Sequence, residues 1–258
     1  MIVKTRKVTY EGKRVFFLHP STLVQNEILF GLAQEEFEVY VVKDEIKICR
    51  ALKKYPDSVF FASVNEKMRE SAWVDLLQMI QKKPETASVC IGILASSNNE
   101  EIKRKYMEML KVHCGYTIIK SDIIAATRQV ATILNNVNAK GRRKYIRMLI
   151  DSESNTTVNI PINGTYINGT IKDISVVGFS CVFAVDPELK KNSLFSDVQL
   201  RLQSQLLKAE GIVFGSRMDG TEKVYVILFS QRIDPSVRTR IRKFIQTYLQ
   251  NKMDEELK

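Results

Sequence analysis

Between residues 14 and 136 the chain alternates a short apolar run with a longer segment of helical spacing, and it does so five times. "RVFFLHP" precedes "NEILFGLAQEE", "FEVYVV" precedes "EIKICRALKKY", and "SVFFAS" precedes "SAWVDLLQMIQKK". "SVCIGILAS" then precedes "EEIKRKYMEMLKVHC", and "YTIIK" precedes "DIIAATRQVATILNN". Uninterrupted apolar runs are what strands show when both faces are buried, and the longer amphipathic segments supply the cover. The pattern predicts an α/β domain over residues 1–136, a five-stranded parallel sheet doubly wound by helices.

The rhythm changes at "NVNAKG". From residue 156 onward, short β-branched and apolar runs are broken by turn signals: Asn-Gly at 163–164 and 168–169, and Asp-Gly at 219–220. These dipeptides supply the positive φ that tight hairpins need, so the second half reads as a meander or small barrel. A last helix begins after Asp234, with Pro235 in its first turn and Val237, Ile241, Phe244, Ile245, Tyr248 and Leu249 on one face. That stripe packs either on its own barrel or on a second copy, leaving monomer and homodimer both open. The tail "KMDEELK" reads as frayed. The expected division is therefore an α/β domain to 136, a linker over 137–155, and a β domain with its helix over 156–258.

Of 258 residues, 39 are Lys or Arg and 29 are Asp or Glu, a net charge of +10 that concentrates anions without choosing among them. "GRRKYIR" gathers Arg142, Arg143, Lys144 and Arg147 in the linker. Arg143 and Arg147 are four apart and would share a face in a helical turn. Guanidinium forks bind phosphate bidentately, bond the O6/N7 edge of guanine and stack on bases. Taken alone, however, the cluster reads more readily as a solvated basic linker. Further on, "DISVVG" sets Asp173, Ser175 and Gly178 at D-x-S-x-x-G spacing. Strand alternation puts Asp173 and Ser175 on one face, where a carboxylate accepts from guanine N1–H and N2–H; a polar strand ending in a glycine bulge fits the same letters.

Together, in this order and ahead of a small β domain, the two motifs closely resemble the PilZ family of cyclic di-GMP receptors, whose signature is R-x-x-x-R followed by [DN]-x-S-x-x-G. The resemblance covers roughly residues 140–232. It implies a six-stranded antiparallel barrel and a following helix. It also implies an arginine segment that wraps over the nucleotide, with Arg143 and Arg147 on phosphates and guanine edges and Asp173 and Ser175 reading a guanine; Gly178 completes the motif. Arg142 is similar in place to a family position that influences whether one nucleotide or a stacked pair is held. The first half resembles a response-regulator receiver domain by its alternation. Receivers keep acidic residues after the first strand, where this chain has His19 and Pro20, and a phosphorylatable aspartate at the third, where it has Ala62. Lys120 and Ser96 match the receiver lysine and hydroxyl positions, while Asp44 and Asp57 read as turn residues. The resemblance implies a domain that is not phosphorylated at the usual place.

Cys49, Cys90, Cys114 and Cys181 form no CxxC pair, and His19, a loop residue, and His113, at a helix end, have no partners at ligand spacing. Reduced thiols, no metal and no cofactor are expected, with cyclic di-GMP as a ligand only. No P-loop, G-x-S-x-G or HExxH occurs, so the expectation is a signalling receptor that is not an enzyme, acting through an unidentified downstream protein. No apolar run reaches the roughly 20 residues that span a bilayer, and no signal peptide is evident; the expectation is a cytoplasmic protein without membrane insertion. The alternative is a nucleic-acid-binding protein using residues 142–147 with Arg238, Arg240, Arg242 and Lys243 of the last helix. The lack of an evident aromatic stacking platform argues against it.

Overall fold

Val15–Leu18 (β1) and Val59–Ser63 (β3) are buried at every position, as central strands covered on both faces must be. With Val39–Val42 (β2), Cys90–Ala95 (β4) and Tyr116–Ile118 (β5) they make a five-stranded parallel sheet in the order β2-β1-β3-β4-β5. This computed structural model describes residues 12–119, 122–151 and 154–258. The strand order is that of flavodoxin-like doubly wound sheets, and receiver domains share it. On one face Phe17, Phe61 and Leu94 pack with Ile28 and Leu32 from the first helical region and with Val130 and Leu134 of α5 (Ile123–Asn136). On the alternate register Phe16 stacks on Tyr55, the C-cap of α2 (Glu45–Lys54).

The helices depart from the sequence expectation in detail. The first is a π-helical stretch, Val24–Leu29, running into a short α1 (Phe30–Gln34), and the third (α3) spans Glu70–Lys82. The fourth is α4 (Glu100–Arg104) followed by π-helical Lys105–Met109; His113 and Cys114 therefore lie in the turn before β5 rather than at a helix end. Asp44 is more than a turn residue, since its carboxylate caps α2 by accepting from Lys47 N at 2.7 Å, and Asp57 pairs with Lys13 at 2.8 Å.

The chain divides into two compact units, one ending at Lys144 and rejoined by Gln250–Lys258, the other Tyr145–Leu249. In the second, six strands close on themselves: Thr156–Ile162 (β7), Thr165–Ser175 (β8), Gly178–Phe183 (β9), Leu194–Leu202 (β10), Gln205–Asp219 (β11) and Glu222–Phe229 (β12). The circuit runs β8-β7-β10-β11-β12-β9 and back to β8, an antiparallel barrel, with the two-residue strand Met148–Leu149 (β6) added on β8. Asn163 and Gly164, at φ 49° and 82°, make the β7–β8 hairpin, as their dipeptide signal requires. Asn168-Gly169, read as a second turn, instead lies inside β8. The Asn168 amide donates to Asn159 Oδ1 across the pair at 2.9 Å, and the Phe183 ring fills the space a Gly169 side chain would need.

Helix α6 (Pro235–Glu256) buries Ile241, Phe244 and Ile245 against the barrel core, so its apolar stripe packs on its own barrel. Its far end is not frayed: Met253 and Leu257 are buried. Within the first unit the Gln250 amide accepts from Val41 N (2.9 Å) and donates to Val41 O (3.0 Å), capping the free edge of β2, while Lys54 and Tyr55 bind Glu256. Two apolar residues four apart among charges gave too weak a sequence signal to reveal this.

Candidate functional site

Strand pairing brings the two sequence motifs together. Residue 147 and residue 173 are 26 apart in the chain, yet β6 pairs antiparallel with the end of β8, Met148 opposite Ile174 and Leu149 opposite Asp173. Ile150 N donates to Lys172 O at 2.9 Å and continues the ladder. Arg147, one residue ahead of β6, therefore stands beside β8, with its Nε 3.5 Å from Asp173 Oδ1. Its side chain is 41% exposed while that of Asp173 is 11% exposed, so the arginine lies over the carboxylate and closes it from solvent only in part.

Asp173 and Ser175 reach the outer face through a bulge. The β8–β9 pairing shifts register between Ile171 and Asp173. Ile171 and Ile174 can then both face the core, with Asp173 and Ser175 turned to the other side. Past the bulge the ladder follows the two-residue hairpin, Ser175 opposite Gly178 and Asp173 opposite Ser180. Ser180 Oγ donates to Asp173 Oδ2 at 2.5 Å, adding a hydroxyl that the sequence reading missed. The signal was present: a turn at Val176-Val177 makes 173 and 180 partners by simple register. On the core side of the same strand, burial first and the Asp173 charge second push the Cys181 thiol above the usual range.

The other two signature residues have local work. Ser175 Oγ donates to Gly178 O at 3.1 Å and accepts from Val177 N at 3.4 Å, closing the hairpin as a serine turn. Gly178 lets β9 approach β12: a Cβ there would stand 2.4 Å from Ile227 O and 3.0 Å from Leu228 Cα. Backbone atoms occupy that space, and no other residue type fits.

Arg142 and Arg143 are exposed on an irregular stretch, so the helical turn that would align Arg143 with Arg147 does not form. The boundary between the two compact units falls inside R-x-x-x-R, after Lys144, with Tyr145 and Ile146 already packed against the barrel core. Tyr248 of α6 fixes the other end of this segment, its hydroxyl donating to Asp151 Oδ2 at 2.9 Å and accepting from Asp151 N at 3.1 Å. Neither Tyr248 nor Asp151 carried any sequence signal for this role.

The remaining candidates are scattered. Arg238 and Arg242 are half-buried along α6, whereas Arg240 and Lys243 are exposed, so the four cations do not form one open face. Two barrel aromatics are exposed, Tyr166 and Phe214, and Tyr166 is tied to Asp197. In the α/β unit His19 follows β1 and binds Glu45 at 2.6 Å, and Ala62 sits buried near the end of β3. Ser96 N donates to Asn65 Oδ1, and Lys120 lies outside the described residues. Among the described residues, no group of three or more His, Cys, Asp or Glu could hold a metal, and no helix is long and apolar enough to cross a membrane.

Residues 141–247 match the family model described as the PilZ domain. No curated protein matches the chain. Among solved structures it is similar to YcgR in complex with c-di-GMP from Escherichia coli, at 14% identity over 45% of this chain and 50% of that one, TM-score 0.40. It is similar also to the Bacillus subtilis inhibitor of motility MotI/DgrA, at 18% identity over 43% and 52% of the two chains, TM-score 0.37. A response regulator from Desulfuromonas acetoxidans matches at 16% identity over 48% of this chain and 98% of that one, TM-score 0.39. The alignment thus spans about half the length of the YcgR and MotI chains.

Proposed function

Because residues 141–247 form a PilZ domain, we propose that the chain is a receptor for cyclic di-GMP, without catalysis of its own, whose ligand is held by Arg142, Arg143, Arg147, Asp173, Ser175 and Gly178. The observation that carries this reading is the contact of Arg147 with Asp173, 3.5 Å apart, which joins both halves of the signature on one face of the barrel. Asp173 presents a carboxylate suited to the N1–H and N2–H edge of guanine, with Arg147 beside it for phosphate or the O6/N7 edge. The ligand takes over the arginine that now pairs with Asp173, and the exposed stretch around Arg142 and Arg143 folds onto its phosphates.

Isothermal titration with cyclic di-GMP, with cyclic di-AMP and GTP as controls, tests the reading. Micromolar or tighter binding, about −8 kcal/mol or better, is expected for cyclic di-GMP alone. A folded protein giving no heat would exclude it. A nucleic-acid-binding protein would instead bind without guanine selectivity and weaken steeply with salt.

Binding is coupled to output through the arginine segment. That segment and helix α6 are the two places where the chain crosses between the compact units, at Lys144/Tyr145 and Leu249/Gln250. Ordering residues 138–147 over the nucleotide restricts the first crossing, reorients the units and presents an altered surface to a downstream protein, whether the chain acts as monomer or homodimer. Hydrogen exchange should show new protection at 138–147 when cyclic di-GMP is added; unchanged exchange there despite tight binding would rule the coupling out. The α/β unit acts as a phosphorylation-independent partner in this scheme. With His19, Pro20 and Ala62 at the places of the receiver carboxylates, incubation with a small phosphodonor is expected to leave no acid-labile phosphate on the chain.

A further inference from the structure

Cys90 opens β4 and Cys114 lies in the turn that leads into β5, 24 residues later in the chain. Cys114 N donates to Ile91 O at 2.8 Å, which anchors that turn alongside the start of β4. Cys90 and Gly92 are two apart on a strand and share a face. The Cys114 Cβ lies on that same face, 3.0 Å from where a Gly92 Cβ would stand. Both thiols pack against the cluster that contains Phe17, Phe61 and Leu94. Glycine at 92 is what leaves room for this approach.

The two sulfurs differ in access and in surroundings. Cys90 is partly exposed, whereas Cys114 is 3% exposed. The neighbouring Cys114 thiol first, then the positive charges of Lys13 and His113, hold the Cys90 thiol below the usual range, against opposition from burial and from Asp57. The Cys90 thiol first, and burial second, push Cys114 up. One accessible thiol of lowered pKa beside one buried thiol is the arrangement of an attacking and a resolving cysteine.

We propose that Cys90 and Cys114 are a redox-active pair that reacts with a low-molecular-weight disulfide and closes to an intramolecular disulfide within the α/β unit. In the first step the Cys90 thiolate attacks one sulfur of the small disulfide; that S–S bond breaks, one small thiolate leaves, and Cys90 carries a mixed disulfide. Cys114 then gives its proton to water and attacks the Cys90 sulfur, breaking the mixed disulfide and releasing the second small thiolate. Two protein thiols are oxidised and one small disulfide is reduced to two thiols. The closed bond ties the start of β4 to the entry of β5. Neither thiol is used by the nucleotide reading, so this chemistry stands or falls independently of it.

The test is incubation of the fully reduced chain with excess oxidised glutathione, followed by thiol counting and peptide mapping without reduction. Two of the four thiols should be lost, and the peptides holding Cys90 and Cys114 should be found joined. Cys49, which is also partly exposed but whose thiol burial pushes up, serves as an internal reference, and Cys90 should react roughly tenfold faster or more. Cys114→Ser should accumulate the mixed disulfide at Cys90, and Cys90→Ser should leave Cys114 untouched. Stable glutathione on Cys90 of the parent protein, a bond between chains through Cys90, or Cys49 reacting as fast as Cys90 would each overturn the proposal. The mapping of the parent needs no variant, so a substitution that misfolds leaves the test intact.

Discussion

Replacing Arg147 by alanine is expected to weaken cyclic di-GMP binding roughly thirtyfold to several-thousandfold, about 2–5 kcal/mol, because a partly buried charge-assisted contact is removed from only one side. The fold should hardly notice. Without ligand, Arg147 meets Asp173 at 3.5 Å with its side chain 41% exposed, and exposed ion pairs contribute about 0–1 kcal/mol. Calorimetry and a melting curve on one preparation therefore separate a binding residue from a structural one. Arg143→Ala should lose affinity within the same range and also keep its melting temperature, since Arg143 lies exposed on an irregular stretch. Lysine at 147 keeps the charge and loses the planar fork, so its affinity should fall between parent and alanine. Binding within a factor of about two of the parent, less than 0.5 kcal/mol, for both alanine variants would remove the arginines from the site.

The largest expected effect on stability comes from Gly178→Ala. A methyl group there meets Ile227 O at 2.4 Å and Leu228 Cα at 3.0 Å, and both belong to the backbone of the neighbouring strand. Forcing one extra group into a packed interior costs about 1–3 kcal/mol. Here the obstacle is main chain that moves only with the β9–β12 ladder, which places the loss at the upper end. For a unit of this size, each kcal/mol lowers the melting temperature by about 4–8 °C. A drop of roughly 10 °C or more in the barrel transition is expected, and cyclic di-GMP affinity should fall with it, since the same hairpin positions Asp173 and Ser175. An unchanged melting temperature would mean that β9 and β12 have room between them that the strand spacing denies. Gly169→Ala makes a useful contrast: its methyl would meet the Phe183 ring at 2.8 Å and the Val182 carbonyl oxygen at 2.9 Å, a milder overlap with main chain than the 2.4 Å at Gly178, so a smaller loss is expected.

Both the architecture of each half and the signature could be read from residue order, and the reasons are local. A strand buried on two faces must be apolar at successive positions, which marks "VFFL" and "VFFAS" without reference to any partner. Asn163-Gly164 announces a turn because few other pairs accept its backbone angles. The same logic fails for Asn168-Gly169, where glycine answers a different need, the ring of Phe183 above it. The tail from Lys252 departs from expectation for a related reason: what holds it is the Gln250 amide just ahead of it, bonded to the edge of β2, together with two buried side chains, Met253 and Leu257, none of which forms a pattern of its own.

The sequence by itself determined the class of each half and the two short motifs that the barrel brings together. Those features are written in residue type and short-range period. Only the tertiary structure decided that β6 pairs with the end of β8, that a bulge turns Asp173 outward beside Ser180 and under Arg147, and that the last turns of α6 are counted with the first unit. Which segments meet depends on closing a barrel and covering a free strand edge. Those choices are settled by packing among residues far apart in the chain, and each leaves almost no trace in any one stretch of it.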